Sequence, residues 1–194
     1  MIFGITGGTG CGKTTALQAI GDLGGIIIDC DAVYHILLQT DKKMLSAIET
    51  RFPGTVIDGK LDRKKLGPIV FSDEQALLDL NAITHKAVKE KVIHILGTNK
   101  ELAAIDAIEL FDGGLSELCD VTVAITAPEA DRIERLLSRD GISYEHAALR
   151  IRAQKPESYF RENCDYVLEN NGTQAEFQEK CLAFFREQII MKAD

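Results

Sequence analysis

The stretch Gly7-Gly8-Thr9-Gly10-Cys11-Gly12-Lys13-Thr14 constrains this chain more than any other eight residues. It satisfies the pattern G-x-x-x-x-G-K-[ST]. It lies between the apolar run Ile2–Thr6 and a helical pattern, Lys13–Leu23, that places Ala16, Leu17, Ile20 and Leu23 on one face. Glycines let the backbone curl until successive N–H groups point inward at phosphate oxygens, and the following helix adds its positive N-terminal end. Lys13 is then placed to reach the β- and γ-phosphates of a nucleotide, and the Thr14 hydroxyl to ligate Mg²⁺. With glycine at its average frequency, a chance match in a chain of this length is about one in a hundred. The dinucleotide spacing G-x-G-x-x-G cannot be laid on the run, because Lys13 or Thr15 falls where its last glycine belongs. A nucleoside-triphosphate phosphate site is the reading that remains.

Composition narrows what such a site can serve. The 194 residues carry 22 Lys and Arg against 30 Asp and Glu, a net charge of −8, which disfavours a general nucleic-acid binder. Hydrophobic residues at 45% and charged residues at 27% fit a folded globular chain that can bury a full core. Apolar runs such as Gly24–Ile28 are too short to span a bilayer, and Met1–Thr6 has no basic residue, so neither a membrane span nor a signal peptide is expected. Five cysteines (Cys11, Cys30, Cys119, Cys164, Cys181) form no CxxC pair, which reads as reduced thiols in a cytoplasmic protein and argues against a structural zinc site.

No repeat, low-complexity tract or linker interrupts the chain, and each of its four prolines is expected at a loop or a helix start. Short β-like runs occur at Ile2–Thr6, Gly25–Asp29, Leu102–Ile108, Val121–Thr126 and Tyr166–Glu169. Helical patterns separate them at Lys13–Leu23, Asp73–Leu96, Glu129–Ser138 and Phe177–Ile189. Such alternation predicts an α/β fold with a parallel sheet flanked by helices. The core is expected at about 1–31, 97–138 and 163–194. A helical insertion without convincing strands should fill about 32–96, and a small helical lid about 139–162.

Asp29, Asp31 and Asp106 follow apolar runs at the carboxyl ends of predicted strands, the edge where open α/β sheets bind ligands. A kinase needs a carboxylate there to orient or deprotonate an acceptor hydroxyl, and another to hold Mg²⁺ through water. Asp is also a favoured helix cap, so a capping role stands beside the catalytic one for each. Arg132, Arg135 and Arg139 share a helix face, with Arg150, Arg152 and Gln154 following. Mobile arginines commonly cover a transferring phosphoryl group, yet Glu129, Asp131 and Glu134 equally suit a solvated charged face.

Taken in order, these residues resemble the bacterial dephospho-CoA kinases along nearly the whole chain. Ile5 to Thr15 is similar to that family's phosphate loop, and Ile28-Asp29-Cys30-Asp31 to its IDAD element. Gly59 to Leu66 and Val70 to Asp73 resemble the stretch before its long substrate-domain helix; Ala82 to Val88 resembles its His-Pro-x-Val pattern. Asp106 to Leu115 resembles DxPLLFExGL, and Arg135–Asp140, Arg150–Gln154 and Asp165–Gly172 resemble the lid and the adenine-side loop. The resemblance implies a P-loop kinase fold and transfer of the ATP γ-phosphoryl group to the ribose 3′-hydroxyl of dephospho-CoA, with Mg²⁺. It implies a monomer or small homo-oligomer with small-molecule partners only. Carried over residue by residue, Asp31 becomes the base facing the acceptor hydroxyl, with Thr6 beside it and His85 and Asp106 on the acceptor side. Lys13 and Arg139 act on the phosphates, Thr14 on the metal. Gly8, Thr9, Gly10, Cys11, Gly12, Lys13, Thr14 and Thr15 cradle the nucleotide, whose adenine lies near Asn170 and Gly172.

Departures from that pattern fall near the acceptor. Lys86 replaces the usual Pro, altering how the long helix begins or bends. Ile108-Glu109 replaces Pro-Leu, and Asp112 replaces Glu. Cys11 stands where Ser is commoner. Beside Lys13 and a helix N-terminus it is expected to be a reactive thiolate protected by ATP, against the alternative of an inert buried thiol. Two rival functions are a kinase for a nucleoside, nucleotide or sugar acid, and a non-catalytic nucleotide switch. The guanine-reading N-K-x-D is missing, since Asn99-Lys100 is followed by Glu101-Leu102.

Overall fold

The computed structural model describes residues 1–98 and 102–193, and Asn99-Lys100-Glu101 lies outside them. The chain divides into two compact units, one of 1–28, 99–111 and 115–194, the other of 29–98 and 112–114.

In the first unit, β1 (Ile2–Thr6) is the middle of a five-stranded sheet. Its other strands are β2 (Ile26–Asp29), β5 (Ala103–Asp106), β6 (Val121–Thr126) and β7 (Tyr166–Glu169), in the order β2-β5-β1-β6-β7. β1 pairs in parallel with β5 and with β6, and β6 with β7. This order sends successive crossovers to opposite sides of β1, so the crevice at its carboxyl end opens where α/β sheets bind ligands. The alternation along β1 sorts its two faces. Phe3 and Ile5 join Ala16, Leu17 and Ile20 of α1 (Lys13–Asp22), with Phe177, Cys181 and Phe185 of α9 (Gln174–Ala193), in one fully buried cluster. The Phe3 and Phe185 rings meet edge to face at 4.9 Å. On the opposite face Gly4 is forced to be small: a Cβ there would lie 2.7 Å from the Cys119 Sγ and 2.8 Å from a Leu110 methyl.

The helix after β6, α6 (Glu129–Asp140), ends on Gly141 in the left-handed region at φ 63°. It is followed by α7 (Tyr144–Arg152) and α8 (Glu157–Asn163). Ile133 and Leu136 of α6 bury against Ala147 and Ile151 of α7 in a small apolar cluster of their own. The expected lid segment therefore does not hang free: its first helix has a core with α6.

The second unit is built around the 25-residue α5 (Glu74–Thr98), against which α2 (Cys30–Thr40), α3 (Lys42–Arg51) and α4 (Arg63–Ser72) pack. Val33 and Leu37 of α2, Leu45 and Ile48 of α3, and Val88 and Val92 of α5 are buried. Two expectations fail here. The insertion does contain strands: β3 (Val56–Ile57) and β4 (Lys60–Leu61) form an antiparallel hairpin. Its two-residue turn, Asp58 at φ 50° and Gly59 at φ 73°, has the left-handed pair that suits tight hairpins. Pro68 sits inside α4 rather than at a start, on its exposed face, where solvent can meet the carbonyl of Lys64 that lost its donor. Lys86 is exposed near the middle of α5, which continues through it from Glu74 to Thr98, so replacing the usual Pro gives an uninterrupted helix.

Candidate active site

The loop after β1 owes its shape to glycines with no substitute. At Gly7, φ is 136° and an added Cβ would lie 2.2 Å from the Ile125 carbonyl oxygen, a backbone atom that cannot move aside. At Gly12, φ is 100°, and a Cβ would strike the Asn170 side chain at 2.3 Å. Gly12 is also the N-cap of α1 and supplies no side-chain acceptor, so the first N–H groups of that helix remain available to an anion.

The carbonyls of the loop are held from outside. Arg132 Nε donates to the Thr9 oxygen at 2.9 Å, Arg135 Nη1 to the Gly10 oxygen at 3.1 Å, and Asn170 Nδ2 to the Cys11 oxygen at 3.0 Å. Three consecutive carbonyls are thus fixed by side chains from α6 and from the residue after β7, while the Cys11 N–H bonds the Gly8 carbonyl at 3.4 Å. Gln154, just past α7, accepts the Thr9 N–H at 2.8 Å and also contacts Arg132 Nη2 at 3.3 Å. Arg132 and Gln154 therefore grip both ends of one residue of the loop. The arginine bonds among these are charge-assisted, the stronger class.

A cavity of about 730 Å³ opens on this loop. Every residue expected to cradle the nucleotide lines it except Cys11, and Asn170 and Gly172 border it with Arg135 and Arg139. Asp131 and Glu134 line it too, so the wall carries both signs of charge. Lys13 Nζ donates to the Gly7 oxygen at 3.0 Å, docked on its own loop. The Asn170 Oδ1 is buried and has no hydrogen-bond partner. The lining residues fit a triphosphate with Mg²⁺: uncapped helix N–H groups, a lysine, and the exposed Thr14 hydroxyl beside it. Among the described residues no three His, Cys, Asp or Glu cluster to hold a metal on their own.

The remaining expected residues are placed as follows. Thr6 is fully buried, and its hydroxyl donates to the Ile108 carbonyl at 3.1 Å, fixing the start of the loop after β5 instead of presenting a free hydroxyl. Asp106 closes β5 in register with Ile5, one residue before the end of β1. In the second unit Asp29, not Asp31, caps α2: its carboxylate accepts the Ala32 N–H at 2.9 Å. Asp31 is exposed in the first turn of that helix, clear of the capping role. His85 is half-buried along α5.

Arg139 is exposed and forms a bidentate pair with the adjacent Asp140, at 2.7 and 3.1 Å, and Arg150 joins the same carboxylate at 2.7 Å. Those hydrogen bonds hold the Asp140 carboxyl below its ordinary range and raise Arg139 above its own. Cys11 overturns the expectation of a reactive thiolate. It is 1% exposed and its Sγ donates to the Gly8 oxygen at 2.7 Å. Burial pushes the thiol up, more strongly than nearby Lys13 and Arg132 pull it down.

Sequence reasoning named Arg132, Arg135 and Gln154 but could not say which of them touch the loop. Periodicity gives a shared face and no partner, and Gln154 reaches a residue 145 positions away.

Comparison with known proteins agrees with this architecture along the chain. The dephospho-CoA kinase family model matches residues 1–176. A dephospho-CoA kinase of Carboxydothermus hydrogenoformans is 31% identical over 192 residues, covering 96% of this chain and 93% of its own. A crystal structure from Thermus thermophilus superposes with a TM-score of 0.80 at 32% identity, over 97% of each chain. Dephospho-CoA kinase from Campylobacter jejuni superposes with a TM-score of 0.69 at 25% identity, over 98% of each. With the phosphate loop, the sheet order and the helical second unit in place, the chain belongs to the dephospho-CoA kinase family.

Proposed function

We propose that this chain transfers the γ-phosphoryl group of ATP to the 3′-hydroxyl of the dephospho-CoA ribose, giving CoA and ADP in the last step of CoA synthesis. The observation that carries the reading is the loop at Gly7–Thr14, with three carbonyls held by side chains and an uncapped helix start, in a chain that matches the family over residues 1–176. In the proposed mechanism, Lys13 leaves the Gly7 carbonyl for the phosphates, and the amides of the loop bind their oxygens. Thr14 would hold Mg²⁺, which when bound neutralises charge on the β- and γ-phosphates. Asp31 accepts the proton of the 3′-hydroxyl as the oxygen–phosphorus bond forms. Arg139, released from Asp140, and Arg135 balance the charge that builds on the transferring group. Asn170 and Gly172 border the adenine, Thr6 positions the Ile108 carbonyl, and His85 and Asp106 belong to the acceptor side. Catalysis rests on positioning and charge, with no covalent intermediate.

In this proposal the second unit takes the acceptor and 139–162 covers the phosphates. The protein works in the cytoplasm on small molecules, as a monomer or small homo-oligomer. Among the described residues no helix is long and apolar enough to cross a membrane. The test is steady-state turnover with ATP, Mg²⁺ and dephospho-CoA. Lys13→Ala should abolish transfer, and Asp31→Ala should lower kcat far more than ATP affinity. Wild-type rates in both variants would remove the mechanism, and turnover of nucleosides, nucleotides or sugar acids with silence toward dephospho-CoA would remove the substrate.

A further inference from the structure

The second unit has a cavity of its own, of about 530 Å³, lined by His35, Leu38, Gln39, Lys60, Leu61 and Arg63. Its charged residues are all of one kind. In a chain with a net charge of −8, a pocket wall holding Lys60, Arg63 and a histidine without one carboxylate is a local reversal of sign. Neither Lys60 nor Arg63 has a carboxylate partner among the ion pairs of the described residues; of the acids nearest in the chain, Asp62 caps α4 through the Lys64 and Lys65 N–H groups, and Asp58 lies in the hairpin turn. Arg63 instead lies 3.3 Å from the His35 Nδ1. A guanidinium can only donate, so the contact assigns His35 the tautomer whose Nδ1 accepts and whose Nε2–H is a further donor. Tyr34 packs its ring on His35 at 5.8 Å, and burial of its hydroxyl raises it despite the nearby Arg63 charge. The walls are completed by two leucines.

Three elements hold these groups in place. His35 and Leu38 come from one face of α2, Lys60 and Leu61 from the hairpin strand β4, and Arg63 from the first position of α4. The tight Asp58-Gly59 turn fixes β4, and Glu49 anchors the same hairpin by accepting the Gly54 and Val56 N–H groups, each at 2.7 Å. Such preformed cationic side chains, unpaired with protein carboxylates, recognise an oxyanion, and Arg matches the two oxygens of a phosphate in one plane. The leucines ask for an aliphatic group attached to that anion.

We infer that this cavity is a diphosphate site, and that it takes the diphosphate of the acceptor together with the start of its aliphatic arm. The identity of the ligand rests on the proposed function, because dephospho-CoA joins a diphosphate to an aliphatic chain; the anion site does not.

Two measurements separate them. Inorganic pyrophosphate is titrated into protein saturated with ADP, and the His35 ring signal is followed by NMR, assigned by its loss in His35→Gln. A saturable shift that disappears in Arg63→Ala supports the site. An unmoved His35 signal overturns it, whatever the enzyme catalyses. In the kinetic measurement, Arg63→Ala and Lys60→Ala should raise KM for dephospho-CoA roughly ten- to a hundredfold, as loss of a charge-assisted bond implies, and leave KM for ATP unchanged. Adenosine, which lacks the diphosphate, should lose nothing as an acceptor in these variants, and Arg63→Lys should recover part of the dephospho-CoA KM. Equal losses with adenosine and dephospho-CoA would overturn the diphosphate assignment. A His35 shift with no turnover of dephospho-CoA by wild-type protein would refute the proposed function and leave the anion site standing.

Discussion

Replacing Arg132 by alanine isolates the contribution of the grip on the phosphate loop, because Arg132 does not itself line the nucleotide cavity. The substitution removes the bond to the Thr9 carbonyl at 2.9 Å and the contact with Gln154 at 3.3 Å. A hydrogen bond to a charged group contributes about 1.5–3 kcal/mol; for the half-buried Arg132 a total near 2 kcal/mol is the reasonable figure. If the loop must re-form that geometry to bind phosphate, the whole amount appears in ATP affinity, a weakening of about thirtyfold. Calorimetric titration with ATP reads it directly. Arg132→Lys, which keeps the charge and loses the fork, should fall between. Gln154→Ala should weaken binding less. The double variant should cost less than the sum of the two, since both hold Thr9. Salt decides the cause: a lost long-range attraction fades as ionic strength rises, and a lost positioning contact does not. Unchanged ATP affinity in Arg132→Ala, or a loss that vanishes in high salt, would refute the positioning argument.

Gly7→Ala should leave little folded, active protein, because its Cβ meets a backbone oxygen at 2.2 Å and its φ of 136° is strained for any other residue; expression and thermal melting read this. Cys11 should alkylate slowly at neutral pH, with or without ATP, and fast only in denaturant; rapid labelling of the native protein would contradict its burial. Cys119, Cys164 and Cys181 are pushed up by burial to about 12, against 9.0 for an ordinary thiol. Raised native values mean the unfolded chain loses these protons first. The stabilisation is therefore complete below pH 9 and declines as the pH climbs from there toward 12; urea midpoints should fall over that window, and less steeply in Cys181→Ala. Asp140→Asn should free Arg139 from its bidentate partner and tighten ATP binding severalfold, read by the same titration; weaker binding would mean the pair orients Arg139 rather than restraining it.

What the sequence could tell differed by residue, for physical reasons. The loop was legible because binding a polyphosphate by backbone N–H groups leaves few residue choices at Gly7, Gly12, Lys13 and Thr14, all close together in the chain. The five sheet strands were legible to within two residues at each end because each is a short, largely apolar run bounded by turns; the central β1, β5 and β6 are buried on both faces, the edge strands β2 and β7 only in part. The hairpin at Val56–Leu61 was missed although Asp58-Gly59 spelled its turn, because strands of two residues show no alternation. Pro68 read as a boundary, but an exposed helix face tolerates the lost bond. Asp29 and Asp31 both looked able to cap α2, and one hydrogen bond distinguished them. The Cys11 environment misled: Lys13 beside it was visible, and the burial that outweighs it was not. Nothing local announces that Gln154 or Arg132 meets Thr9, since those contacts exist only once the chain has folded.

The position of the new phosphate on the acceptor tests the proposed transfer most sharply. Purified protein is incubated with ATP, Mg²⁺ and dephospho-CoA, and the product is analysed by mass and by phosphorus–proton NMR correlation. One added phosphoryl group per acceptor is expected, coupled to the ribose H3′, formed with one ADP and absent in Lys13→Ala. Dephospho-CoA recovered unchanged while ATP binds, or phosphate found at any other oxygen, would contradict it.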